Sequence, residues 1–199
     1  MVKIGFIVEG HSEKILIESG MFKKWCQKNR ITIAHPVINA CGGGNLLPQH
    51  LANHIARVSQ NGKLNKVVVL TDLETASSVA KVRKRIHTSE FKDKIDVVFV
   101  SVKALEAWIL ADGVAMAAWL KEETFHEDYP EDTPAMPREK IKQIAKDKNK
   151  LGPGSSKPSF IKRMIEKHGF SIERAAEHPH CPSVKEFSTT LKKWGEDNP

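Results

Sequence analysis

The chain of 199 residues is poor in aromatics, at 7%, and has one Tyr and three Cys. So few aromatics, hardly interleaved with basic residues, count against a surface that binds single strands by stacking on bases. Cys26, Cys41 and Cys181 are odd in number and far apart, which excludes a disulfide framework and a CxxC zinc motif. No run approaches the roughly 20 apolar residues of a bilayer span. The opening MVKIGFIVEGHSEK is too short in apolar residues for a signal peptide and lacks a small-residue cleavage site, so the expected location is the cytoplasm. What is present, 40% hydrophobic and 28% charged residues, suits a globular fold rather than a disordered chain.

Positive charge is concentrated in one half. Residues 1–100 carry 15 Lys/Arg against 8 Asp/Glu, while residues 101–199 carry 16 of each. A basic field of this kind attracts polyanions. Its densest patch, Lys81, Arg83, Lys84 and Arg85, is a candidate nucleic-acid contact, with a solvated helix face as the alternative. The opposite feature is Glu122–Asp132, with six acids in eleven residues, which reads as a solvated loop.

Apolar periodicity predicts strands at about 3–8, 30–38, 66–70 and 96–101, each followed by a helical pattern. Ser12 reads as an N-cap with Glu13 in the first helical turn. This β-α alternation predicts an α/β fold with a mostly parallel central sheet flanked by helices. Residues 1–120 would form the core. Residues 121–199, with a Pro- and acid-rich loop and then helices split by Pro and Gly, would form a helical C-terminal elaboration packed on it.

Carboxylates cluster at the predicted strand exits. Glu9 follows the first strand, Asp72 and Glu74 follow the Val67–Leu70 run, and Glu106 lies just beyond the last strand. Acids at the mouth of an apolar sheet are desolvated and repel one another. A hard divalent cation, Mg²⁺ or Mn²⁺, relieves both costs. Taken singly, such acids cap helices, the role expected of Glu13 and Asp112. Lys103, just before Glu106, and Lys157, in Gly-Pro-Gly-Ser-Ser-Lys, are candidates to face a phosphate, and Lys157 extends the candidate nucleic-acid surface. Gly42-Gly43-Gly44-Asn45 reads as a tight turn or a phosphate contact; without Lys-Ser/Thr it is no P-loop. His50 and His54 lack the Glu and third ligand of a zinc motif, and His178-Pro-His180-Cys181 reads as a loop.

VEGHSE at 8–13, VLTDLE at 69–74 and LEAWILAD at 105–112, in this order, resemble a Toprim-like family of small bacterial proteins. That group is related to the Toprim domain of OLD-type nucleases, topoisomerases and primases. The resemblance covers residues 1 to about 115, and the segment from Cys181 to Trp194 is similar to the group's closing helix. It implies a Rossmann-like sheet with Glu9 as metal ligand and general base, and Asp72 and Glu74 as an Asp-x-Asp equivalent in which Glu is one methylene longer. It implies Glu106 as the ligand of a second ion. The implied activity is Mg²⁺- or Mn²⁺-dependent phosphodiester cleavage, in a bacterial defence or mobile-element context. Nucleic acid is the expected partner, DNA ahead of RNA, with a partner ATPase and self-association as further expectations and no membrane. The only tyrosine, Tyr129, lies in the acidic stretch, which argues for hydrolysis or nicking over covalent strand passage.

Three rivals share these residues. One is a non-catalytic nucleic-acid-binding or regulatory protein. Another is a receiver-type domain phosphorylated on Asp72. The third is a phosphatase of small metabolites.

Overall fold

A computed structural model describes residues 1–88 and 90–197. Strand β1 (Val2–Val8) is buried at six of its seven positions, as its unbroken apolar sequence requires of a strand covered on both faces. Gly10 then opens helix α1 (His11–Glu18), so the helix begins before Ser12, which is itself buried. The periodicity beyond it is broken at Ser19. This residue ends α1 in extended conformation and caps α2 (Gly20–Lys28) by accepting from the Phe22 amide at 3.1 Å. The expected second strand is two short ones, β2 (Ile31–Ile33) and β3 (Ile38–Asn39), separated by His35-Pro36.

A 3₁₀ turn (Gly43–Leu46) and α3 (Pro48–Val58) lead into β4 (Lys66–Asp72), α4 (Val79–Ile86) and β5 (Val97–Ser101). All pairings are parallel, in the order β2-β1-β4-β5, with β3 also on β1. The chain works outward from β1 to β2 and β3, then returns to the other side of β1 for β4 and β5. The reversal falls between β1 and β4, and ligands of open parallel sheets gather outside the strand ends at such a point.

Alternation along β1 divides the core. Val2, Ile4, Phe6 and Val8 face one apolar cluster, and Ile7 faces the other with Leu51, Val69, Val82 and Phe91. The helical pattern after the last strand is two helices, α5 (Glu106–Ala111) and α6 (Gly113–Leu120). Buried Asp112 divides them: it caps α6 at the Ala115 amide, 3.2 Å, and takes a two-pronged contact from Arg174 at 2.8 and 2.9 Å. Helices α7 (Pro137–Asp147), α8 (Lys157–His168), α9 (Ile172–Glu177) and α10 (Pro182–Glu196) complete the molecule. Their Phe160, Met164, Phe187 and Leu191 enter the same cluster as Phe6, Phe22 and Trp108. Among the described residues no helix is long and apolar enough to cross a membrane.

The acidic stretch is only partly solvated, a correction to the sequence reading. Glu131 is buried, and its Oε1 accepts from Ser183 N at 3.0 Å, Ser183 Oγ at 2.5 Å and Cys181 Sγ at 3.2 Å. Trp108 Nε1 donates to the same Ser183 hydroxyl at 2.7 Å. Burial, ahead of these hydrogen bonds, holds the Glu131 carboxyl above its ordinary pKa.

Candidate active site

The switch point is lined with carboxylates. Glu9 leaves the end of β1, and its Oε2 accepts from the Thr71 hydroxyl and, at 3.0 Å, from the Asp72 amide on the neighbouring strand. Asp72 closes β4. Its Oδ1 accepts from the Ser101 hydroxyl at the end of β5 and from the Leu105 amide at 3.0 Å, and its Oδ2 accepts from Lys157 Nζ at 2.7 Å. Glu106 opens α5 and is 1% exposed; Glu13, in the first turn of α1, is 3% exposed. The Lys157 ammonium stands among them, 3.2 Å from Glu106 Oε2 and 3.9 Å from Glu13 Oε1. Arg138 of α7 reaches the other side of Glu106, with Nη1 3.7 Å from Oε1.

Thus Glu9, Asp72 and Glu106 of the expected set converge, and two residues assigned otherwise join them. Glu13 is a wall of the pocket rather than a solvated first-turn acid. Lys157, expected on a nucleic-acid surface, is the central cation. Its partner Asp72 is 85 positions away in the chain, and no local pattern joins the two.

Glu74 and Lys103 make no hydrogen bond or ion pair with these acids among the described residues, although the charge of Glu74 reaches Glu9. Both have left-handed backbones, with φ of 49° and 61°, and the Glu74 amide donates to the Lys103 carbonyl at 2.7 Å. β4 ends at Asp72, so strand alternation no longer aims the side chain two residues later, and Glu74 is exposed. Lys103 Nζ donates to the Thr133 carbonyl instead of facing the acids. Of the basic patch, Lys81, Lys84 and Arg85 are exposed on α4. Arg83 is turned inward and departs from the expected surface role: Nε donates to the Val98 carbonyl at 2.9 Å, and Nη2 pairs with Glu186 at 2.7 Å.

Burial leads the electrostatics of the pocket. It raises the Glu9 carboxyl above its ordinary pKa, with the charges of Asp72 and Glu74 adding to the rise and the Thr71 and Asp72 hydrogen bonds opposing it. It raises Glu13 to about 7, helped by the charge of Asp72 and opposed by Lys157. For Lys157 burial acts downward, but Asp72 and Glu106 outweigh it and hold the ammonium above its usual range, so the lysine is charged.

Two oxygens test whether a metal suits the pocket. Glu13 Oε1 and Glu106 Oε2 are buried with no hydrogen-bond partner; Lys157 faces both as an ion, off hydrogen-bond alignment or range. Buried carboxylate oxygens with spare lone pairs fit a hard cation. Among the described residues no three His, Cys, Asp or Glu side chains form a ready-made metal cluster. The middle of the acids is held by the ammonium.

The glycine-rich turn borders Glu9. The Gly42 amide donates to the Glu9 carbonyl at 2.8 Å, and a side chain on Gly43 would begin 3.4 Å from Glu9 Oε1. Gly42 has φ 123°, a conformation open to glycine. At Gly43 no side chain stands between this turn and the Glu9 carboxyl.

No family model, no curated protein and no solved structure matches the chain. The site therefore rests on its own geometry.

Proposed function

We propose that the chain is a divalent-metal-dependent phosphodiesterase acting on nucleic acid, built on a Toprim-like form of the parallel α/β fold. The observation that carries the reading is the meeting of Glu13, Asp72 and Glu106 around the Lys157 ammonium at the switch point of the sheet, with Glu9 bonded to the Asp72 amide beside them and two of the buried carboxylate oxygens without a hydrogen bond. Isolated acids that only cap helices have no reason to converge from four places in the chain.

Asp72 and Glu106, with Glu13 and Glu9, would hold the metal, Mg²⁺ or Mn²⁺. When bound, it supplies charge neutralisation at a phosphoryl oxygen and a more acidic water. The protein's own groups supply the rest. Ser101 and the Leu105 amide fix Asp72 Oδ1, so this carboxylate cannot rotate away. Glu9 Oε2 is committed to Thr71 and Asp72, leaving Oε1 on the open, glycine-lined side as the acceptor of a proton from water. Exposed Lys81, Lys84 and Arg85 offer phosphate contacts that draw in a polyanion without reading its sequence.

The test is cleavage of DNA and RNA substrates with Mg²⁺, Mn²⁺ or chelator. Metal-dependent cleavage that falls by about a hundredfold or more in Glu9→Gln and Asp72→Asn is expected. Cleavage unchanged in both variants, or indifferent to chelator, overturns the assignment. Exposed Glu74 and the turned-away Lys103 favour one second reading, a nucleic-acid-binding protein without turnover. It predicts salt-sensitive binding and no cleavage under any divalent ion.

A further inference from the structure

The position of Lys157 carries an inference that rests on the metal-site reading above and extends it. Its ammonium lies 2.7 Å from Asp72 Oδ2, 3.2 Å from Glu106 Oε2 and 3.9 Å from Glu13 Oε1. Oxygens from three separate elements surround it as they would surround a small cation. A metal cannot take those oxygens while the ammonium holds them, because two positive charges would share one seat.

The surroundings of Lys157 permit exchange. It is the first residue of α8, behind the segment Leu151–Ser156, in which every residue but Pro153 is exposed. Its side chain is 32% exposed, whereas those of Asp72, Glu13 and Glu106 are at most 5% exposed. Asp72 is held by the Ser101 hydroxyl and the Leu105 amide, whereas the lysine's four-carbon stem reaches in from the exposed side. Arg138 keeps the backbone behind it in place by donating to the Gly154 carbonyl at 2.8 Å while facing Glu106.

We infer that Lys157 is an exchangeable counter-ion. Without metal its charge offsets part of the negative charge of Asp72, Glu106 and Glu13. A divalent ion takes its seat among Asp72, Glu106 and Glu13, and the displaced ammonium turns outward, where it meets the phosphate of a polyanionic substrate. In the exchange a divalent cation takes the oxygens that a monovalent ammonium held, so the carboxylates gain one unit of positive charge and the ammonium carries its own outward.

Two measurements test this without relying on turnover. The first is Mn²⁺ affinity, by calorimetry or electron paramagnetic resonance, for the wild-type chain and Lys157→Met. Removing the competing charge is expected to tighten binding by about tenfold or more. The second uses the wild-type chain, so it does not depend on the variant folding: brief labelling with an amine-reactive reagent, read residue by residue by mass spectrometry. Lys157 is expected to be protected without metal and to react severalfold faster with saturating Mg²⁺, while exposed Lys84 is unchanged. Equal or weaker Mn²⁺ binding in the variant, or labelling of Lys157 that ignores a bound Mg²⁺, overturns the exchange and leaves the metal site standing. Failure of both chains to bind Mn²⁺ overturns the site itself, and the exchange with it.

Discussion

Glu13 shows what a single residue's surroundings can do. Its carboxyl ionises near 4.5 in a free chain but near 7 in the fold, chiefly because it is buried and also because Asp72 is charged nearby. Between those pH values the folded chain holds a proton that the unfolded chain has lost. Stability therefore falls as pH rises through the window and levels off above it. Urea unfolding in chelator, from about pH 4.5 to about pH 7, should show this loss, and Glu13→Gln should flatten it. The same slope in both proteins would remove Glu13 from the pocket. This residue was not legible in the sequence. A Glu in the first turn of a helix already has a sufficient reason to be there in the helix dipole, and nothing local indicates that α1 turns it inward. Glu9, Asp72 and Glu106 were legible because each follows a strand whose direction fixes its rim. Glu74 follows the end of β4 by two residues, where strand alternation no longer sets its direction, and it is exposed.

Among the elements, the strands were the most legible, since runs such as Lys66-Val-Val-Val-Leu70 have only one favourable environment, the middle of a covered sheet. Breaks inside the helical stretches were not, because Ser19 and Asp112 act as caps only through the bonds they make in three dimensions. The fit of α10 depends on a similar non-local contact. Gly195 passes so close to the end of α2 that a Cβ there would stand 1.8 Å from the Asn29 carbonyl oxygen. No rotamer relieves a clash with backbone, so Gly195→Ala should shift α10 and cost about 2 kcal/mol or more. The thermal midpoint should drop by several degrees; an unchanged midpoint would mean that α10 does not pack there.

At the scale of the whole molecule, the helices after residue 120 are part of the structure's foundation. Phe160, Phe187 and Leu191 fill the cluster that covers β1 and α2, and Arg174 neutralises buried Asp112. A fragment ending at residue 120 would expose that cluster to water and leave Asp112 without its cation. It should elute as aggregate or expanded chain in gel filtration, with no cooperative melt. A sharp melt from the fragment would show that its sheet folds alone. The distribution of charge around the pocket has a consequence for biosynthesis. Every acid of the pocket lies within the first 106 residues, while Arg138 and Lys157 come later. On the ribosome, a sheet that closed early would bring four carboxylates together before either basic partner had emerged from the exit tunnel, so the last step of assembly waits for the arrival of position 157, unless ions of the surrounding medium fill in first.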